Sequence, residues 1–209
     1  LITAHKGNVC AVVLETVRNE DPQQAFLREI REVTIREGIV LIADEITAGW
    51  RLNLGGAHLK YDLNPDISVF AKAISNGYPM AAILGKSQVM RAAQDSFISS
   101  TYWTERIGPA AALATIKKMK RLNLPDYLIM VGKCIQDGWQ KAAKKHSIRI
   151  KVTGIYPLSH FSFDHKESLV LKTLFTQFML KKGFLASTIF YASYAHRPEH
   201  IAAYLKAAD

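Results

Sequence analysis

Two stretches of this sequence end hydrophobic runs on side chains that can do chemistry. VLIADEITAGWR, from Val40 to Arg51, passes from an apolar run straight into Asp44 and Glu45. SVFAKAISNG, from Ser68 to Gly77, leads through a second apolar run to the isolated Lys72, just before the turn-forming Ser75, Asn76 and Gly77. Short apolar runs of this kind read as buried strands, and ionisable groups at the ends of core strands sit where open α/β sheets bind ligands. One amine paired with one carboxylate suits the chemistry of pyridoxal phosphate, in which a lysine holds the cofactor aldehyde and an aspartate holds its ring nitrogen. Flanked by Ala71 and Ala73, the Lys72 stem is expected to run along packed surface, where desolvation favours the neutral, nucleophilic amine. Asp44 is the mirror case, a buried carboxylate made tolerable by a protonated pyridine ring as its cation.

A strand ending in Asp-Glu also occurs in phosphate-binding-loop ATPases, where the acid helps to hold magnesium. That chemistry needs the pattern GxxxxGK[ST]. Gly85, Lys86 and Ser87 supply its ending, but Met80 stands where the first glycine belongs, so the loop fails.

The elements that must position Asp44 and Lys72 follow from pattern. Asn8–Glu15 reads as a buried strand ending in a lone acid. Glu20, Asp21 and Pro22 then open a helix, with Phe26, Leu27, Ile30, Val33 and Ile35 as its apolar stripe and Gly38 as its stop. Val40–Ala43 returns as a strand, so the order strand–helix–strand predicts a parallel crossover. Asp66–Phe70 carries the chain to Lys72, and the Asn76-Gly77 turn leads into MAAILG, a strand turned back against the sheet. Phe97–Thr101 is predicted as a further short strand and Ile107–Leu122 as an alanine-rich helix with basic residues in its last turns. A second long helix, begun at the Asn123-Leu124-Pro125-Asp126 break, runs through Lys145. Beyond it come strands over Ile148–Val152 and Leu158–Phe163, a helix over Lys166–Lys182, an extended piece at Phe184–Ser187 and a last helix over Pro198–Ala208. This change of texture near Leu124 predicts a second, α+β domain.

At 209 residues the chain is long enough for one large domain, or for one domain and part of another. An apolar fraction of 49% and a charged fraction of 22% are those of an ordinary globular protein with a sizeable core. No apolar run is long enough to span a membrane. The net charge of +9 is scattered, with small groups at Lys117, Lys118, Lys120 and Arg121 and at Lys141, Lys144 and Lys145. Scattered lysines on helix faces indicate solvated surface rather than a nucleic-acid site. Cys10 and Cys134 lack metal-binding spacing and form no disulfide framework; they are expected to be buried thiols.

The wider pattern resembles the class III aminotransferases, fold-type I pyridoxal phosphate enzymes, and particularly their glutamate-1-semialdehyde aminomutase-like branch. The likeness is carried by AVVLE at Glu15, by FLREIREVTIREGIVLIADEITAGWR, by NPDISVFAKAISNGYPMAAILG and by STYWTERIGPAAALATI. It resumes in GFLASTIFYASYAHRPEHIAAYLKAAD at the end of the chain. It implies an α/β fold: part of a three-layer sandwich with a mostly parallel sheet, followed by a C-terminal α+β small domain. Residues 1–123 would be the C-terminal portion of the cofactor-binding major domain and 124–209 the small domain.

Carried over residue by residue, the resemblance makes Lys72 the Schiff-base lysine and Asp44 the partner of the pyridine nitrogen of pyridoxal 5'-phosphate. Ile46 takes the place of the aliphatic residue on the cofactor ring face. Thr101 matches the threonine that binds the cofactor phosphate across the interface of a homodimer. Glu15 falls at a strand-end glutamate of structural rather than catalytic role. Where the family has Asn-Pro after that threonine, this chain has Glu105 and Arg106, which puts the local loop and substrate choice in question. No metal site is implied.

The implied activity is transfer of an amino group between a small amino donor and a carbonyl acceptor, with the freed Lys72 amine moving the proton. In the aminomutase branch, an isomerase, donor and acceptor are one molecule. A cytoplasmic location, with no nucleic-acid or membrane partner, goes with the resemblance. Family members are about twice as long, so the sequence is expected to be the C-terminal half of a larger enzyme. An inactive remnant serving as a structural or partner subunit is the alternative. Arg51 and Arg106 are candidates for a substrate carboxylate, Tyr102 and Trp103 for pocket lining, and His196 for packing near the active-site mouth.

Overall fold

The computed structural model describes residues 2–102 and 104–209. They fall into two compact units, Leu1–Val17 with Pro22–Asn123, and Arg18–Asp21 with Leu124–Asp209. Residues 18–21 therefore go with the second unit, where the carbonyl of Asn19 accepts the Gly154 N–H at 2.7 Å.

In the first unit, β1 (Ala11–Glu15), β2 (Val40–Asp44), β3 (Ile67–Phe70) and β4 (Ala82–Gly85) form one sheet in the order β1-β2-β3-β4. The first three strands are parallel, and β4 turns back antiparallel against β3. Helix α1 (Gln24–Glu37) joins β1 to β2, the connection that a parallel pair requires. It stops at Gly38, whose φ of +67° is left-handed and whose following residue Ile39 donates its N–H to the Thr34 carbonyl. That is the helix ending glycine makes possible.

Several expectations are corrected. The helix begins at Gln24, not at the Glu20-Asp21-Pro22 signal, and Phe26 and Ile35 of its predicted stripe are exposed while Leu27 and Thr34 are buried. Strand β1 is not buried. It lies at the edge of the sheet among the described residues, and Val13 is 64% exposed. No strand forms over Phe97–Thr101; the chain there is irregular and open, and Phe97 is 96% exposed. Cys10 and Cys134 are exposed, because each sits on the outward side of its segment.

The short helix α2 (Ser87–Met90) follows β4, and α3 (Ile107–Leu122) spans the residues that its periodicity predicts. Ala112 of α3 is buried together with Phe70 and Ile74, and Trp50, Met80, Ala82 and Ile116 pack around them. This small core sits directly behind the C-terminal end of β3. Asp66, just before β3, ties the unit together: it takes both Arg31 Nη atoms at 2.7 and 3.0 Å, the Leu41 N–H at 2.9 Å and the Lys86 Nζ at 2.9 Å.

The second unit is built on α4 (Leu124–Lys145), α5 (Ser168–Lys181) and α6 (Pro198–Ala208), with an antiparallel sheet β5-β6-β7. Its strands are β5 (Ile150–Thr153), β6 (Leu158–Phe163) and β7 (Ile189–Tyr191). The expected extended piece at Phe184–Ser187 is unpaired, and pairing begins only at Ile189. Leu128, Val131, Ile135 and Trp139 of α4 recur at helical spacing and bury against Phe161, Met179, Ile201 and Tyr204.

Candidate active site

Strands β2 and β3 run parallel with Asp44 opposite Val69. The Glu45 N–H continues the ladder by donating to the Val69 carbonyl at 2.9 Å. Asp44 and the segment carrying Lys72 therefore leave the sheet side by side at its C-terminal edge, the place where parallel sheets present ligand-binding groups. Asp44 is half-buried, and its Oδ1 accepts the Ile46 N–H at 2.9 Å. Its second oxygen is left without a hydrogen-bond donor among the described residues.

Glu45, next along, is fully buried. Its Oε1 accepts from the Thr16 hydroxyl at 2.9 Å and the His58 N–H at 2.8 Å, and lies 2.9 Å from the His58 Nδ1; Oε2 accepts the Ala57 N–H at 2.7 Å. Burial alone would push this carboxyl up, but the contacts from His58, Ala57 and Thr16 outweigh it and hold it below the ordinary glutamate value. Glu45 thus fastens both ends of the loop 45–57 to the end of β1. Within that loop Gly49 cannot be replaced freely: a Cβ there would stand 2.6 Å from the Glu45 carbonyl and 3.0 Å from the Phe70 ring. Phe70 is also approached by the Trp50 and His58 rings at 6.1 and 6.4 Å.

Lys72 begins a 3-10 turn, Lys72–Ile74, with φ of +51°. A residue with a Cβ seldom adopts this left-handed conformation, which costs about 1 kcal/mol or more. Lys72 is exposed, so the expected packing of its stem against protein is corrected: the flanking alanines are too small to cover it. What holds the side chain is polar. Its Nζ donates to Thr47 Oγ1 at 2.8 Å, and Thr47 is buried. Sequence reasoning passed over Thr47; its one signal was a β-branched hydroxyl inside the otherwise apolar turn that follows the acids.

The remaining candidates scatter. Ile46 is half-buried beside Asp44. Thr101 is exposed in the irregular stretch before α3 and makes no hydrogen bond to Asp44 or Lys72. Tyr102 is also exposed, and Trp103 lies outside the described residues. Arg51 donates its Nε to the Thr47 carbonyl at 2.7 Å, which assigns it to the loop, and Arg106 is exposed. Glu15 ends β1 opposite Asp44, with its side chain toward solvent. In the second unit the His196 Nδ1 accepts the Ser193 N–H at 3.1 Å, and its ring packs 4.7 Å from Phe190. Burial and the nearby His200 push His196 down.

Glu105, which departs from the expected family pattern, caps α3. One carboxylate oxygen accepts the Ile107 N–H and the other the Gly108 N–H at 2.8 Å, at the helix end where negative charge is favoured.

Residues 1–189 match the family model of the class-III aminotransferases, and the chain belongs to that family. Its relatives include a 3-aminobutyryl-CoA aminotransferase of Cloacimonas acidaminovorans (strain Evry), 27% identical over 94% of this chain and 49% of the relative. A glutamate-1-semialdehyde 2,1-aminomutase of Chloroherpeton thalassium (strain ATCC 35110 / GB-78) is 31% identical over 83% of this chain and 42% of its own length. The fold is that of the pyridoxal phosphate transferases. The internal aldimine form of the FumI protein of Sphingopyxis sp. MTA144 superposes with a TM-score of 0.93 at 24% identity, over 99% of this chain and 52% of that one. An omega-transaminase from Sphaerobacter thermophilus superposes at 0.89 and 20% identity, over 99% and 52% of the two chains. The chain spans about half the length of the relatives it matches.

Proposed function

We propose that this chain carries the aldehyde-binding lysine and the ring-binding carboxylate of a pyridoxal phosphate-dependent enzyme. That enzyme moves an amino group between a small amino donor and a carbonyl acceptor, as an aminotransferase or an aminomutase. The observation that carries the reading is the placement of Asp44 and Lys72 at the C-terminal ends of neighbouring parallel strands. The donor set fits the cofactor: a primary amine held at a fixed hydroxyl, and a half-buried carboxylate with one oxygen free to accept a ring N–H.

When bound, pyridoxal phosphate supplies a protonated ring that draws off the electron pair left as the substrate loses its proton. The chain's own residues do the rest. The Lys72 Nζ would hold the cofactor at its aldehyde carbon, and as a free amine the same nitrogen would remove and return the substrate proton. Asp44 keeps the ring nitrogen protonated through its second oxygen. Ile46 covers a ring face and keeps water from it. Thr101 binds the cofactor phosphate of a second subunit in a homodimer; its exposure, amid the exposed Phe97, Ile98 and Tyr102, suits an interface. Residues Leu1–Val17 and Pro22–Asn123 form part of the cofactor-binding domain in this reading, and the second unit is the small domain.

The test is borohydride reduction of the chain with pyridoxal phosphate, followed by peptide mass spectrometry. A reduced adduct on Lys72, lost in Lys72→Ala, is the expected result. Absence of the adduct from Lys72, in this chain and in the longer protein that contains it, overturns the reading in favour of a non-catalytic subunit.

A further inference from the structure

We propose that Thr47 is the positioning residue of Lys72, holding the amine over the sheet edge in both of its protonation states. The inference rests on the reading of Lys72 as the reacting amine and concerns a residue outside the Asp44, Ile46, Lys72 and Thr101 set.

The observations come from the two ends of one contact. Lys72 is exposed, and among the described residues its head group is held by Thr47 Oγ1 at 2.8 Å. A solvated lysine carries much rotamer freedom, which a catalytic amine must give up. Thr47 has little freedom to lose. It is 6% exposed, it is β-branched and so stiff about χ1, and its carbonyl is engaged by Arg51 Nε at 2.7 Å. The loop beneath it is fastened through the buried Glu45. Lys72 itself sits at a left-handed φ of +51°, and from the turn after β3 its Nζ reaches the loop that follows β2.

The chemistry of a hydroxyl matters as much as its place. A carboxylate at this position would bind the ammonium and oppose its loss of a proton. A threonine hydroxyl accepts from the ammonium or the amine, and donates to the amine's lone pair. An amine that must release and recover a proton therefore keeps its anchor throughout.

The test is trace acetylation of the intact chain with acetic anhydride at fixed pH, with each lysine quantified by peptide mass spectrometry. Lys118 and Lys144, on α3 and α4, are internal references. In Thr47→Val the acetylation of Lys72 relative to the references is expected to rise roughly three- to tenfold, the loss of one hydrogen bond of ordinary net strength. Thr47→Ser is expected to restore the parent ratio. An unchanged ratio in Thr47→Val overturns the proposal, and so does a Ser variant that behaves as Val does. If Val raises every lysine together, the fold has loosened, and Thr47→Ala against Thr47→Ser decides by the same ratio. No cofactor enters this measurement. A Lys72 that responds to Thr47 yet gives no cofactor adduct refutes the proposed function alone, whereas an adduct with an unresponsive Lys72 refutes this inference alone.

Discussion

Arg31 and Asp66 meet in a two-point contact, with Nη1 on Oδ2 at 2.7 Å and Nη2 on Oδ1 at 3.0 Å, and so fix α1 to the start of β3. The Leu41 N–H and the Lys86 ammonium complete the set. Burial would push the Asp66 carboxyl up; Arg31, Leu41 and Lys86 together bring it down to about 2 from 3.8. A lowered folded value stabilises above the unfolded value and is lost as pH falls through the folded one. The contribution is therefore full above pH 3.8, worth about 2 kcal/mol, and disappears towards pH 2. Urea unfolding of the parent chain and Asp66→Asn should show a gap that is constant near neutrality and closes across that window. A gap independent of pH would contradict it.

Glu45 is a buried anchor rather than a reacting group. Replacement by Gln puts an amide N–H₂ either where the His58 N–H and the Thr16 hydroxyl now donate or where the Ala57 N–H does. A donor facing donors leaves buried groups unsatisfied, at about 2–3 kcal/mol. Hydrogen exchange at the Ala57 and His58 amides should quicken in Glu45→Gln, ahead of exchange in β2. Unchanged protection there would remove Glu45 from the role given to it.

Lys72 sits at φ +51°, where glycine is at ease and alanine is not. Lys72→Gly should therefore be more stable than Lys72→Ala by about 1 kcal/mol, the reverse of the order found in an ordinary helix or strand. Thermal unfolding of the two variants measures the difference. Neither should give a borohydride-trapped cofactor adduct at position 72.

In the second unit, the Trp139 Nε1–H donates to the buried Tyr204 hydroxyl at 2.8 Å. Burial pushes the Tyr204 hydroxyl up to about 12 from 10, with the Trp139 contact pulling slightly the other way. A raised folded value stabilises below the unfolded one and is lost as pH climbs through the folded one. Tyr204→Phe should cost about 1–3 kcal/mol below pH 10, by orphaning the indole N–H. The gap to the parent should narrow between pH 10 and 12, which alkaline denaturant titrations of both proteins would reveal.

The helices over Ile107–Leu122 and Pro198–Ala208 and the strand Leu158–Phe163 form where the sequence places them. Each is a long or strongly patterned run with its own stop signal. The Phe97–Thr101 stretch has the same apolar texture and forms no strand, because pairing needs a neighbour that local pattern does not supply. Exposure was equally hard to read for Cys10, Cys134 and Val13, since an apolar residue on an edge strand or an outer helix face has the same letter as one in the core.

For the candidate site, the sequence by itself supplied the candidate groups: a carboxylate and an amine, Asp44 and Lys72, each closing an apolar run. The strand–helix–strand order implied only that β1 and β2 are parallel; that β3 lies parallel beside β2, so that Asp44 and the Lys72 segment leave the sheet together, came from the tertiary structure. Only the tertiary structure decided that Lys72 stands exposed on a left-handed residue and is held by Thr47, and that Glu45 is an internal fastening for Thr16, Ala57 and His58. Those partners lie 12 to 29 residues from the groups they hold. A hydrogen bond across such distances depends on where the backbone brings two atoms, which no local spacing encodes.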